Sequence, residues 1–256
     1  MTQTKVSLVT GAGGYIGSQI AYTLAKRGDK VVVCDITVDS AQRTVEKIIS
    51  DGGDAFALAL DVTNSKDIEN AIAETVKKYG SLDVMVHAAG GSARLGGAGS
   101  TFKELSDQDD NVIDAVLKVN LYGAIYTSRA AAKQMITQGN GGRIIHISSS
   151  IGLNGLQGKA EYAAAKGGVI ALAKAQAKEV GKYGITVNTV APGCIGNHTL
   201  SDDDPGMLKT NYLNRRGNAE DIANMVEYLA SEKGRFITGQ TCLVDGGRNM
   251  AMKGSD

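Results

Sequence analysis

Cysteine, net charge and long apolar runs are all scarce in this sequence of 256 residues. The three cysteines, Cys34, Cys194 and Cys242, are far apart and odd in number, which excludes a disulfide framework and is typical of reduced thiols in a cytoplasmic protein. Basic and acidic residues number 27 each, so we expect no nucleic-acid or polybasic membrane surface. No apolar run approaches the roughly 20 residues of a membrane span, and no basic and apolar leader opens the chain.

Proline is also rare, with only 2 residues, and no low-complexity linker interrupts the chain. The length is sufficient for one α/β domain with a large core, so we predict a single domain over residues 1–256. Strand patterns alternate with helical patterns along the sequence. This alternation predicts a parallel sheet with helices on both faces.

Glycine, by contrast, numbers 33, and several glycines fall in one early loop. A strand pattern over residues 5–10 leads into residues 11–17, Gly-Ala-Gly-Gly-Tyr-Ile-Gly, and then into a helical pattern over residues 18–27. Glycines here permit a tight turn and let backbone N–H groups approach a pyrophosphate at the helix N-terminus. The strand–loop–helix context makes this a dinucleotide-binding motif, which a glycine cluster alone would not.

Asp35 closes the second strand pattern, residues 30–34, and lies 18 residues after Gly17. A dinucleotide-binding fold places at this point a carboxylate that accepts hydrogen bonds from the adenosine ribose. A bare carboxylate repels a 2′-phosphate, and neither the following Ile36 nor the glycine loop supplies a lysine or arginine. We therefore predict NAD rather than NADP. The alternative role for Asp35 is a turn residue or helix cap.

A second motif joins a strand end to the start of a helix. The strand pattern of residues 143–147 ends in serines 148–150, and Tyr162 and Lys166 open a helix beyond a glycine-punctuated loop. The spacing of four puts both side chains on one helical face. A neighbouring ammonium favours the phenolate of a tyrosine whose ordinary pKa is about 10, and Ser149 can hydrogen-bond the reacting oxygen. The motif suits proton transfer coupled to hydride transfer; its alternative is a surface tyrosine beside a solvated lysine.

Other short motifs accompany these two: Thr10-Gly11, Asp61-Val62, Ala88-Ala89-Gly90, Asn120, Pro192-Gly193 and Val244-Asp245-Gly246-Gly247. Taken together, over nearly the whole chain, they resemble a short-chain dehydrogenase/reductase of the compact, single-domain branch. The resemblance implies a doubly wound Rossmann-type sheet of about seven strands. It also implies nicotinamide-dependent interconversion of a secondary alcohol and its ketone.

The resemblance implies residue roles as well. Tyr162 would be the general acid/base, Lys166 would lower its pKa and bind the nicotinamide ribose, Ser149 would hold the substrate oxygen, and Asn120 would hold a water linking Lys166 to solvent. No metal site is predicted. The implied cofactor contacts are Gly11, Gly14, Tyr15, Ile16, Gly17, Asp35, Ile36, Asp61, Val62, Ala88, Ala89, Gly90, Asn120, Tyr162, Lys166, Pro192, Gly193, Ile195 and Asn197.

The sequence departs from the compact branch in three places. Tyr15 stands at the middle glycine position of the loop, and Gly14 supplies instead a spacing found in the longer epimerase and dehydratase branch. His87 begins a motif that usually reads Asn-Asn-Ala-Gly, and we interpret it as a packed, hydrogen-bonded histidine. A longer loop carries Arg94, which we interpret as solvated, while His198 faces substrate or water.

The substrate is not determined by these motifs. Five polar residues near the expected pocket, Ser150, Asn154, Gln157, Asn197 and His198, favour a small hydroxylated substrate such as a sugar or polyol. The alternatives are a 3-ketoacyl-thioester reductase, an NAD-retaining epimerase or dehydratase, and a catalytically idle nucleotide-binding scaffold.

Two predicted helices, residues 112–138 and 160–183, are rich in alanine and glycine. Small residues permit the close approach of helices. In the resembling family these helices form a subunit interface, so the resemblance implies a homo-oligomer, a tetramer or a dimer.

Overall fold

The computed structural model describes residues 4–91, 102–196 and 211–250. Their strands form one parallel sheet of seven strands in the order β3-β2-β1-β4-β5-β6-β7. The strands are β1 (Val6–Thr10), β2 (Lys30–Asp35), β3 (Asp54–Ala59), β4 (Val84–His87), β5 (Gly142–Ile147), β6 (Ile185–Pro192) and β7 (Thr241–Val244). This is the doubly wound Rossmann-type sheet that the sequence predicted.

Helices cover both faces of the sheet. Their bounds are α1 (Tyr15–Lys26), α2 (Val38–Ser50), α3 (Ser65–Tyr79), α4 (Asp110–Leu117), α5 (Gly123–Gln138), α6 (Ile151–Asn154), α7 (Ala160–Val180) and α8 (Ala219–Ala230). Short 3₁₀ turns cover Leu105–Asp107, Gly181–Tyr183 and Glu232–Gly234. No helix in the described ranges is long and apolar enough to cross a membrane.

The core has two layers because successive strand residues point to opposite faces of the sheet. On β4, Val84 and Val86 pack with α1, α2 and α8, whereas Met85 packs with α3, α5 and α7. All three side chains are buried. A strand that is buried on both faces reads as a continuous apolar run, which is why these strands could be found in the sequence.

The sheet reverses its winding between β1 and β4, which are neighbours in space but not in sequence. Ligands of open α/β sheets bind beyond the carboxyl ends of the strands at such a point. The glycine loop after β1 and residues 88–91 after β4 therefore meet at one cleft.

The helix predicted over residues 112–138 is not regular. A π-helical turn, Lys118–Tyr122, separates α4 from α5 and contains the buried Asn120. Such turns are rare and frequently lie at functional sites. No local sequence pattern indicated this turn, because it depends on tertiary contacts of Asn120.

Candidate active site

Two glycines of the glycine loop lie so close to neighbouring backbone that neither could carry a side chain. Gly11 has a φ of +64°, and a Cβ there would lie 2.7 Å from the Cα of Ala89. A Cβ on Gly17 would lie 2.2 Å from the Gly11 carbonyl oxygen, so both positions require glycine. Gly14 is the N-cap of α1 and Tyr15 is its first helical residue, so the tyrosine replaces a glycine without breaking the loop. The first turn of α1 therefore faces the cleft with its N-terminus, as a pyrophosphate site requires.

Asp35 is held by backbone donors of its own neighbourhood. One carboxylate oxygen accepts from the Gly13 N–H and the other from the Ile36 N–H, both at 2.9 Å. The side chain thus fastens the glycine loop to the end of β2, while Ile36 is 64% exposed. Asp35 has a structural function in addition to any contact with a ribose.

Asp61 and Val62 follow β3 and differ in what they expose. One oxygen of Asp61 accepts from the backbone N–H and the hydroxyl of Thr63, at 2.9 and 2.7 Å. The Val62 side chain is buried, and it lies so close to α5 that a Cβ on Gly123 would be 2.9 Å away. Val62 can therefore offer a cofactor only its backbone.

Asn120 fixes the chain that follows β4. Its amide donates to the carbonyls of Gly91 and Val116 at 3.1 and 2.9 Å, and its side-chain oxygen accepts from the Gly91 N–H at 3.0 Å. Gly90 has a φ of +149°, and a Cβ there would lie 2.4 Å from the Asn120 Oδ1 and 3.1 Å from the Lys166 Nζ. The backbone at this point must stay bare, which suits a ligand that passes over Ala88, Ala89 and Gly90.

Ser149, Tyr162 and Lys166 come together at the end of β5. Ser149 is hydrogen-bonded to Tyr162, and the Lys166 ammonium lies 5.7 Å from the centre of the Tyr162 ring. Lys166 is fully buried and donates to the Ile147 carbonyl at 2.9 Å. The Ser148 hydroxyl donates to the Lys166 carbonyl at 2.9 Å and so fastens β5 to α7.

Burial sets the acidity of this cluster. It lowers the pKa of the Lys166 ammonium to about 8. It also raises the pKa of Tyr162, and the hydrogen bond from Ser149 opposes that rise. The sequence pattern predicted that Lys166 would lower the tyrosine pKa. In the chain by itself the pKa of Tyr162 is raised, because the effect of burial outweighs that of the Ser149 hydrogen bond.

The segment after β6 borders the same cleft. The Ser150 N–H donates to the Pro192 carbonyl at 2.9 Å, and the Gly193 N–H donates to the Val244 carbonyl at 3.0 Å. Ile195 forms an isolated bridge with Gly217. Three residues singled out in the sequence, Arg94, Asn197 and His198, lie outside the described residues.

Two buried histidines flank the cleft, and the sequence indicated only one of them. His87 is fully buried and hydrogen-bonded to Thr10, which confirms its interpretation as a packed histidine. His146 is its register partner on β5 and is also fully buried. Burial lowers the pKa of His87 and that of His146, the latter to about 4. A polar residue in the otherwise apolar β5 run was the signal that could have pointed to His146.

The chain is similar to several curated bacterial proteins over almost its entire length. It is 40% identical over 256 residues to the 3-oxoacyl-[acyl-carrier-protein] reductase FabG of Staphylococcus aureus strain Mu50, covering 98% of this chain and 100% of that protein. The FabG of Staphylococcus epidermidis strain RP62A is 40% identical, with 96% and 99% coverage. The FabG of Escherichia coli K12 is 38% identical over 250 residues, with 96% and 98% coverage.

These relatives contradict the predicted preference for NAD over NADP, because the FabG reductases are NADPH-dependent. That prediction rested on the Asp35 carboxylate, and we correct it here. The physical reason is that both Asp35 oxygens already accept backbone hydrogen bonds from Gly13 and Ile36. A carboxylate at this position therefore has a structural use that does not depend on the ribose.

A family model described as enoyl-(acyl carrier protein) reductase matches residues 11–249. The matched region contains the glycine loop, the π-helical turn with Asn120, and the cluster of Ser149, Tyr162 and Lys166. The fold, the motifs and the relatives agree. The chain belongs to the short-chain dehydrogenase/reductase family.

Proposed function

We propose that the chain reduces the 3-keto group of a 3-oxoacyl thioester to a 3-hydroxyacyl thioester, with a reduced nicotinamide dinucleotide as hydride donor. One observation carries the proposal: proteins named 3-oxoacyl-[acyl-carrier-protein] reductase are 38–40% identical over almost the whole chain. These relatives favour the thioester alternative over the sugar or polyol that the polar loop residues had suggested. The clustering of Ser149, Tyr162 and Lys166 supplies the groups that such a reduction needs.

The described residues fit a dinucleotide. The pyrophosphate would lie at the first turn of α1, and the chain from Ala88 to Gly90 would pass beneath the nicotinamide half. A cleft of about 260 Å³ beside the glycine loop is bordered by Arg43 and Lys47. These two cations support NADPH as the form used, since they put positive charge on the adenosine side of Gly13.

The reaction divides between hydride and proton. When bound over Ala88 to Gly90, a reduced nicotinamide would supply the hydride that the ketone carbon gains. Tyr162 donates its phenolic proton to the carbonyl oxygen, so that the ketone gains the two atoms that make it an alcohol. Ser149 donates a hydrogen bond to the same oxygen as negative charge develops on it. The Lys166 ammonium stabilises the phenolate that remains on Tyr162.

We assign the two small-residue helices, α5 and α7, to contact between copies of the chain. A groove between them is bordered by Ile136 and Tyr183, which are 36% and 43% exposed. Exposed apolar side chains of this kind favour association. Light scattering of the purified chain tests this: a homo-oligomer is expected, and a monomer at assay concentration would contradict it.

The substrate test is a steady-state assay with acetoacetyl coenzyme A and NADPH, followed by the loss of reduced-nicotinamide absorbance. Sorbitol and other polyols with the oxidised cofactors form the comparison. We expect thioester reduction and little polyol oxidation. Efficient polyol oxidation without thioester reduction would reverse the proposal.

A further inference from the structure

Three fully buried residues, two of them near Lys166, carry polar atoms that have no protein partner among the described residues. These atoms are the Nε2 of His87, both ring nitrogens of His146 and the hydroxyl oxygen of Thr127. Buried polar groups are almost always hydrogen-bonded, to protein or to internal water. Four such atoms in one region therefore call for a common explanation.

One ring nitrogen of His87 has a protein partner, and the other has none among the described residues. The Thr10 hydroxyl oxygen accepts from the Ala89 N–H at 3.3 Å and shares a hydrogen bond of 3.2 Å with His87 Nδ1. A neutral imidazole has one donor and one acceptor nitrogen, so Nε2 takes the role opposite to that of Nδ1. In either tautomer, Nε2 needs a partner of its own.

His146 lies beside His87 on the neighbouring strand and on the same face of the sheet. The two rings are 5.9 Å apart between centres and meet edge to face at 65°. In this arrangement the edge of one ring meets the face of the other, so they do not form a nitrogen-to-nitrogen hydrogen bond. The neutral His146 ring therefore offers one donor and one acceptor to the surrounding space.

Helix α5 closes this space from the other side. A Cβ on Gly123 would lie 3.3 Å from the Cε1 of His87, which places the start of α5 directly against that ring. Thr127 follows one helical turn later on the same face of α5. The helix packs on both β4 and β5, so the Thr127 hydroxyl belongs to the same buried layer as the two histidines.

We propose that His87, His146 and Thr127 enclose a binding site for buried water, and that this water hydrates the Lys166 ammonium from inside the protein. His87 supplies one donor or one acceptor through Nε2, and His146 and Thr127 each supply a donor and an acceptor. Internal waters typically make about three such bonds. Lys166 is adjacent, since it donates to Ile147, the residue that follows His146.

The site gives His146 a positioning role for the reaction, through the water and Lys166. Water dipoles next to a buried ammonium favour its charged form, which burial otherwise disfavours. The titratable groups that face Lys166 are His87 on β4, His146 on β5 and Tyr162 on its own helix. Both imidazoles are neutral near pH 7. Neither ring therefore competes as a cation with the Lys166 ammonium for the oxygen of the water.

The first test is a crystal structure of the purified chain at a resolution that shows ordered water. We expect density for at least one water within hydrogen-bonding distance of His87 Nε2, His146 and the Thr127 hydroxyl. A Thr127→Val chain keeps the shape of the side chain, so it should lose or displace this water without other movement. A dry site in the wild-type chain would overturn the proposal. This test needs no substrate, so it holds even if the proposed thioester substrate is wrong.

The second test measures kcat against pH in the direction of alcohol oxidation. In His146→Leu we expect the acid limb to move up by about one pH unit, since a less hydrated Lys166 stabilises the Tyr162 phenolate less. His146→Asn retains a donor and an acceptor and should restore the wild-type limb. Met85→Leu, on the same face of β4, is the control for altered packing and should leave the limb unchanged. A limb that does not move in His146→Leu would refute the role in hydration of Lys166.

Discussion

Gly90 offers a sharp test of how the chain after β4 positions the candidate active site. An alanine there would place a Cβ 2.4 Å from the Asn120 side-chain oxygen and 3.1 Å from the Lys166 nitrogen. Ordinary contact begins about 1 Å farther from the Asn120 oxygen, so that side chain must retreat by roughly 1 Å. Such a movement breaks the hydrogen bonds between Asn120 and Gly91, which are 3.0 and 3.1 Å long.

Gly91 supplies a matched control. Its φ of +141° is close to the +149° of Gly90, but a Cβ there would meet no atom within 4 Å. Both alanine substitutions therefore carry the strain of a positive φ, about 2 kcal/mol. Only Gly90→Ala adds the collision with Asn120 and Lys166.

The expected magnitudes follow. Loss of two hydrogen bonds to Asn120 adds about 2 kcal/mol to the strain, for a total of roughly 4 kcal/mol in Gly90→Ala. At about 3 °C per kcal/mol for a chain of this size, Tm should fall by about 12 °C in Gly90→Ala and about 6 °C in Gly91→Ala. A displacement of 1 Å near the reacting groups costs about 100-fold in kcat, whereas Gly91→Ala should lose no more than about threefold.

The assay is differential scanning calorimetry together with steady-state kinetics at a temperature where both variants are folded. Equal kcat values for Gly90→Ala and Gly91→Ala would refute the reasoning. That result would mean that backbone strain, and not contact with Asn120 and Lys166, accounts for the loss of kcat in Gly90→Ala.

Three further predictions concern single residues. Tyr162→Phe should lower kcat at least about 1000-fold with Tm unchanged, because the proton donor is removed; near-normal turnover would favour an idle or differently organised site. The pKa of Lys166 is lowered from 10.5 to about 8, so between these pH values the native state binds fewer protons than the unfolded state. The free energy of unfolding should therefore rise with pH across that window by an amount on the order of 3 kcal/mol. Denaturant midpoints measured against Lys166→Met test this rise, and parallel curves for the two chains would exclude it. Arg43→Gln should raise KM for NADPH by about threefold to tenfold with kcat unchanged, since it removes one exposed charge near the glycine loop; an unchanged KM would exclude Arg43 as a phosphate partner.

The overall architecture was predictable because its signals are local. Strands buried on both faces read as apolar runs, and the glycine loop lies between a strand and a helix as a dinucleotide site requires. The meeting of Ser149, Tyr162 and Lys166 was also predictable, because a strand end and a helical spacing of four fix their relative positions. The roles assigned to these residues remain predictions.

Other features depend on tertiary packing that no local pattern records. The π-helical turn exists where the buried Asn120 side chain binds the backbone of Gly91. The pKa of Tyr162 is raised because the tyrosine is desolvated, which the spacing to Lys166 could not indicate. The cofactor prediction failed because it rested on Asp35 as a ribose contact, whereas this carboxylate also holds the glycine loop.

The most direct test of the proposed function follows the transferred hydride into the product. The purified chain would be incubated with acetoacetyl coenzyme A and NADPH carrying deuterium at both C4 positions, and the product analysed by mass spectrometry. We expect a 3-hydroxybutyryl thioester with one deuterium on C3, and Tyr162→Phe should form almost none of it. An unreduced thioester, or a product without deuterium on C3, would contradict hydride transfer to a 3-oxoacyl substrate.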